Sequence, residues 1–282
     1  MIVRAMQTQY GLGVVLVIVS AVTFSTAGLF SKGVEAAPWG IIFWRGVFSA
    51  AFTTVWIWHR GQVWDNFPNM GISGLAVAVV GALGTAAFIA AFKLTTIANV
   101  SLIYAVAPLL ATVLAWVWIG EKSSKLVVAG SGLALVGVAV IVSGSLGQIN
   151  LRGDILALGM AAAMAVLMVI YRKYPSTPGA GPAALSSLLL VPVALVLGDP
   201  FAIPLDEILI LSGFGLVFAV ASVTLVEGAK RVPSGQTALL STLEVPLAPV
   251  LAFLVLSEIP HAQTIAGGTL VLIAVLLAAK EQ

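Results

Sequence analysis

Few polar side chains interrupt the long apolar runs of this 282-residue chain, and chemistry is confined to those few. Glu244 is the clearest, a carboxyl near the middle of the apolar run 235–257. If that run crosses a bilayer, a buried charge costs about 2.5–3.5 kcal/mol on insertion scales, which is tolerated where the group lines a wet cavity or holds a proton. Such a carboxyl can bind an ammonium group or carry a coupling proton. It can also hold helices together as a protonated, backbone-bonded group. Arg45, about a third of the way into the run 38–58, can snorkel outward, pair with an anion or form a structural salt bridge.

The neutral polar candidates cluster on three runs. Asn99, Ser101 and Tyr104 share one, and Gln236, Ser241 and Thr242 share another. Thr23 belongs to a third group with Ser20, Ser25 and Thr26. Hydroxyls in membrane helices commonly bond their own backbone or a neighbouring helix, worth about 0.6 kcal/mol each, so each has a structural reading beside the functional one. Met160, Met164 and Met168 recur every four residues and form one helical stripe. Methionine suits an adaptable apolar wall, and Met164 is the member taken as a candidate cavity residue.

Other chemistries are excluded. The chain has no cysteine, so thiol catalysis, disulfides and cysteine metal sites are absent. His59 and His261 do not make a metal constellation alone, and neither His-Glu-x-x-His nor Gly-x-Ser-x-Gly occurs. No catalytic residue, metal or cofactor is expected, and an intramembrane enzyme is the most distant reading. A net charge of +2 is too small for a nucleic-acid binder.

The elements that must position these residues follow from hydropathy. Only 9% of the residues are charged and 60% are apolar, whereas soluble domains carry roughly 25% charge. Most of the surface therefore faces lipid. A helix needs about 20 apolar residues to span a bilayer. Ten such segments read as spans: Gly11–Ser31, Pro38–Trp58, Gly71–Phe92, Thr96–Gly120, Leu126–Gly147, Ile155–Tyr171, Pro182–Gly198, Ile208–Gly228, Gly235–Ser257 and Thr264–Ala279. Charged breaks separate them, Arg152–Asp154 among them, and no aspartate is expected inside a span. The segments are apolar all round, which predicts helices and excludes a β-barrel. With ten spans, Arg4, Arg60, Lys122, Lys125, Arg172, Lys173, Lys230, Arg231 and Lys280 fall on one side and Lys32, Lys93 and Arg152 on the other. The positive-inside rule then places both termini in the cytoplasm.

The chain also repeats itself. A shift of 137 superposes Lys93 on Lys230, Glu121 on Glu258 and Gly130 on Gly267, with 13 identities in the 46 pairs from position 93 to 138. That divides the ten spans five and five, as residues 1–148 and 149–282. Because five is odd, the second copy enters the membrane from the opposite side, an inverted repeat of the kind that builds transporters around a midplane site. Pro108 falls within one residue of the repeat equivalent of Pro246, and Pro249 follows. Proline removes a backbone hydrogen bond, so the fourth and ninth spans are expected to be interrupted at corresponding places, with Pro108, Pro246 and Pro249 as gating or site-lining positions.

These residues carry a family resemblance. Trp116-Val-Trp-Ile-Gly-Glu121 with Gly130 nine positions later, and Leu254-Val-Leu-Ser-Glu258 with Gly267 nine positions later, resemble the ends of two five-helix units of the EamA type. Phe43-Trp-Arg45-Gly-Val resembles the arginine pattern of the first unit. The whole chain thus looks like a member of the drug/metabolite transporter superfamily. The resemblance implies a multi-pass protein, expected in the bacterial inner membrane, that exports small metabolites by alternating access. One branch exports amino acids, aromatic ones included, which makes these the leading substrate class. Nucleobases, drugs and other neutral metabolites remain the alternative. The partners expected are a small-molecule substrate and the bilayer, with no nucleic acid; oligomeric state and coupling ion are left open.

Overall fold

A computed structural model describes residues 2–120, 125–144, 150–229, 231, 240, 241 and 243–279. Its regular structure among these residues is entirely helical. α1 (Ile2–Ser25) bends at Thr26 into α2 (Ala27–Lys32), and α3 (Pro38–His59) opens on a proline at its start. After the short α4 (Val63–Asn66) come α5 (Gly71–Leu94), α6 (Ile97–Tyr104), α7 (Ala107–Ile119) and α8 (Lys125–Ser143). The second half comprises α9 (Leu151–Lys173), α10 (Ala180–Leu197), α11 (Leu205–Ala229), α12 (Glu244–Leu256) and α13 (Ala262–Ala279).

Seven described helical stretches are long and apolar enough to cross a membrane: Gln9–Lys32, Pro38–His59, Pro68–Leu94, Ile97–Ile119, Leu151–Lys173, Ala180–Leu197 and Leu205–Gly228. Three shorter apolar helices accompany them, Gly132–Ser143, Glu244–Leu256 and Ala262–Ala274. Large apolar side chains are exposed along them, for example Ile72, Val117, Val196 and Leu254, as lipid-facing helices require.

The helix pairs follow the internal repeat. α5 packs on α9 as α1 packs on α11, α3 on α11 as α10 on α5, and α7 on α9 as α12 on α1, while α3–α10 and α8–α13 are pairs of corresponding helices. Exchanging the two halves thus maps these pairs onto one another. α8 and α13 meet at Gly137 and Gly267, where a Cβ on Gly267 would come within 2.4 Å of the Gly137 carbonyl oxygen. Only backbones without side chains approach so closely.

The repeat is sharpest at α7 and α12. Both have 13 residues, and the shift of 137 carries the first and last residue of one onto the other. Each is closed by a residue in the left-handed conformation, Gly120 at φ 69° and Ser257 at φ 54°. Glycine adopts that conformation freely, whereas a side chain there costs about 1–2 kcal/mol. Ser257 is the one non-glycine residue with positive φ among the described residues. Ser257→Gly is therefore expected to raise stability by up to about 1 kcal/mol and Gly120→Ser to lower it by a similar amount. Thermal unfolding of the two variants in detergent checks this, and shifts of the same sign would contradict it.

One expectation from the sequence is corrected here. Asp154 does not stand in a loop before the sixth span; it lies in the first turn of α9, completely buried, inside a membrane-crossing helix. Helix N-termini favour carboxylates through their exposed N–H groups and dipole, so the helix begins before the charges rather than after them.

Candidate functional site

The fourth span is two helices, not one. α6 ends at Tyr104, Ala105 and Val106 form a turn, and α7 starts at Ala107 with Pro108 as its second residue. The proline places the interruption one turn before itself, because it has no N–H to continue the ladder and fits the first turn of a new helix. Leu240 and Ser241 are helical, Leu243 is a turn residue, and α12 begins at Glu244 with Pro246 as its third residue. Pro249 lies inside α12. Val106 and Leu243, the turn residues immediately before α7 and α12, are related by the same shift of 137.

Helix lengths give the depth of these breaks. α12 is 13 residues long, about 20 Å at 1.5 Å per residue, so Glu244 lies well below the face on which Ser257 ends the helix. α6 has 8 residues, about 12 Å, and carries Tyr104 inward from that same face. The two meet: α6 packs against α12, and the Tyr104 side chain lies beside the Glu244 carboxyl group. Both side chains are half-buried. Val100 and Ile103 of α6 and Val245, Ala248 and Ala252 of α12 belong to the buried apolar core in which these two helices pack. A carboxyl flanked by a phenol, between two helix interruptions, offers an acceptor for an ammonium group and an amphipathic ring beside it.

The other candidates divide. Ser241 is half-buried one turn before Glu244, and Ser101 is buried on α6. Met164 is half-buried on α9 and packs against the main core. Thr23 donates its hydroxyl to the Val19 carbonyl of its own helix, the structural role open to any such threonine. Gln236 and Thr242 lie outside the described residues. Asn99 has a structural task that the sequence does not announce. Its amide Nδ2 donates to both carboxylate oxygens of Asp154 at 3.1 and 3.2 Å, and its Oδ1 accepts from Thr264 Oγ1 at 2.6 Å. Thr95 Oγ1 also donates to Asp154, at 2.7 Å. All four residues are buried. This network ties α6 to α9 and α13, and burial of the carboxylate is tolerated because its oxygens are supplied with donors.

A second polar group holds the N-terminal end of α6. Glu258, just past α12, accepts from Lys32 Nζ at 2.7 Å and from the Ile97 backbone N–H at 2.6 Å. It thus caps α6 and links it to α2. Glu207 similarly accepts from the backbone N–H groups of Glu35 and Ala36, at 2.8 and 3.0 Å. On this face, which carries Lys32 and Lys93, the helix ends are closed against one another. On the opposite face Arg231 pairs with Glu227 at 2.9 Å, and Arg60 stands 3.9 Å from the same carboxylate. A separate apolar crevice of about 390 Å³ opens between α3, α5 and α9, lined by Trp39, Ile42, Leu83, Ala86 and Leu156 among others, away from the Tyr104–Glu244 pair.

The sequence does not announce the asparagine–aspartate network because Asp154 reads there as one of two loop charges, with Arg152.

Seven described helical stretches long and apolar enough to cross a membrane, with three shorter apolar helices beside them, mark a polytopic membrane protein. The model of the EamA-like transporter family matches residues 11–143 and again 151–280, and the chain belongs to that family. It is accordingly an integral, multi-pass membrane protein. A protein of known crystal structure has a similar fold, with a TM-score of 0.68 and 20% identity over 94% of this chain and 96% of the other. No curated protein matches the sequence.

Proposed function

We propose that this protein exports small amphipathic metabolites, amino acids including aromatic ones foremost, by alternating access. The observation that carries the reading is Tyr104 beside Glu244 where α6 packs against α12, each helix bordering a break in its span. A zwitterionic substrate places its ammonium at Glu244 and its apolar side chain against the Tyr104 ring and the wall near Met164. Ser101 and Ser241 supply further hydroxyls at that depth, and the breaks before Pro108 and Pro246 act as hinges. The five-helix copies have opposite orientation, giving ten spans with both termini in the cytoplasm of a bacterial inner membrane.

The test is efflux of a panel of labelled amino acids from proteoliposomes. Aromatic amino acids are expected to move fastest and to compete with one another. Competition by nucleobases but not by any amino acid would replace this substrate class with neutral metabolites.

Orientation has its own check. Because the chain has no native cysteine, a single cysteine at Lys122 should resist an impermeant thiol reagent in intact cells, while one at Lys93 or Asp199 should react. Labelling of the Lys122 variant from outside would overturn the ten-span, termini-inside arrangement.

A further inference from the structure

Arg45 is the largest fully buried side chain of the protein, with 0% exposure. None of its three guanidinium nitrogens has a hydrogen-bond partner among the described residues. It stands eight residues into α3, about 11 Å from the helix start, and a guanidinium that had snorkelled to an interface would be exposed. Its position is pinned by close backbone packing on both sides. The next residue, Gly46, faces the Ser187 carbonyl of α10, where a Cβ would come within 3.0 Å. Gly215 of α11 faces the Arg45 carbonyl itself at the same spacing.

What surrounds the charge is aromatic. The guanidinium carbon lies 4.3 Å from the Phe218 ring centre and 5.6 Å from that of Phe214, both on α11. Phe24 of α1 packs edge-on against Phe218, and Phe30 of α2 stacks on Phe214. Ring faces stabilise a cation but give its N–H groups no lone pairs. An arginine held in this way, with a fixed fork of five donors unused, is prepared for a planar acceptor that takes two of them together. A buried charge in a membrane helix implies a partner, and the aromatic faces supply only half of one.

We propose that Arg45 is a carboxylate-binding residue, which receives the anionic end of the substrate when α1 and α2 move away from α11. Together with an ammonium at Glu244 it gives the protein two recognition points of opposite charge, which selects zwitterions over amines and over neutral solutes. The inference rests on the proposed transport of amphipathic metabolites and adds the anion that such a substrate must carry.

Thermal stabilisation of the purified full-length protein tests this with L-phenylalanine, 3-phenylpropionate, 3-phenylpropionamide and phenethylamine as probes, together with benzoate, succinate and malate as unrelated carboxylates. The parent should be stabilised by L-phenylalanine and 3-phenylpropionate and at least tenfold less effectively by the amide. Arg45→Gln should lose that carboxylate preference while phenethylamine binding is retained, and Arg45→Lys, which keeps the charge without the fork, should fall between. Stabilisation by carboxylate and amide alike in the parent, or a carboxylate preference that survives in Arg45→Gln, would overturn the proposal; so would no stabilisation of the parent by any carboxylate. If neither variant folds, the parent's own preference for carboxylate over amide decides. Arg45-dependent stabilisation by succinate, malate or benzoate without any by L-phenylalanine would sustain the arginine site and refute the amino-acid reading.

Discussion

Glu244→Gln is expected to reduce transport at least tenfold, corresponding to about 1.4 kcal/mol, with folded yield unchanged. Glutamine preserves the shape of the side chain and an oxygen beside Tyr104, so the packing of α12 in the core through Val245, Ala248 and Ala252 has no reason to collapse. What is lost is the negative charge and the capacity to hold a proton, which are the two properties that serve an ammonium-bearing substrate or a coupled proton. Tyr104→Phe removes the neighbouring hydroxyl and keeps the ring, so it should slow transport less. Because the two groups lie side by side, the double variant should lose less than the two single losses combined. Initial rates in proteoliposomes, with detergent-solubilised yield as the folding control, decide the matter. Parental transport by Glu244→Gln would make this carboxyl a structural group between α6 and α12.

The second large effect concerns closure of the face that carries Lys32 and Lys93. Glu258 alone joins three elements there: it accepts from Lys32 at the end of α2, caps α6 through the Ile97 N–H, and follows directly on α12. Hydrogen bonds to a charged group contribute about 1.5–3 kcal/mol each, and the carboxylate is mostly shielded, with 14% side-chain exposure. Glu258→Ala should therefore shift the balance between closed and open forms at this face by at least tenfold. The Asp154–Asn99–Thr264 network keeps the deeper part of α6 in place, so the helix is expected to swing rather than unfold. Single cysteines at Ala27 and Ala98, both buried in this form, report the motion by their labelling rates. Both rates should rise about tenfold on Glu258→Ala, and less on Glu258→Gln, which still accepts from Ile97. Unchanged labelling at both positions would show that Glu258 is a helix cap with no part in closing this face.

Much of this protein was legible before any contact was known, because the signals are local or periodic. A bilayer requires about 20 apolar residues per helix, so hydropathy alone announced a helical membrane protein. The shift of 137 found in the sequence reappears in α7 and α12, which agree in length, in their bounds and in their left-handed ends. The interruption of both helices could be read from Pro108 and Pro246, since a missing N–H acts on its own turn whatever surrounds it.

Contacts between helices were another matter. Asp154 read as a loop charge, and its burial among Thr95, Asn99 and Thr264 depends on three helices whose ends converge. Glu258 was visible as a repeated motif residue, but its hold on Ile97, 161 positions earlier, was not. Arg45 was a lone cation in an apolar run until α11 brought Phe214 and Phe218 to it. The repeat put Gly267 opposite Gly130 in sequence, while the folded chain packs it on Gly137. The physical reason is common to all four. In a soluble protein the apolar stripe of a helix shows which side is buried, but helices that are apolar all round, with lipid as favourable a neighbour as another helix, carry no such mark. Composition and spacing determined that this chain crosses the membrane, repeats and breaks its helices; only the packing of one helix face on another decided which polar groups meet.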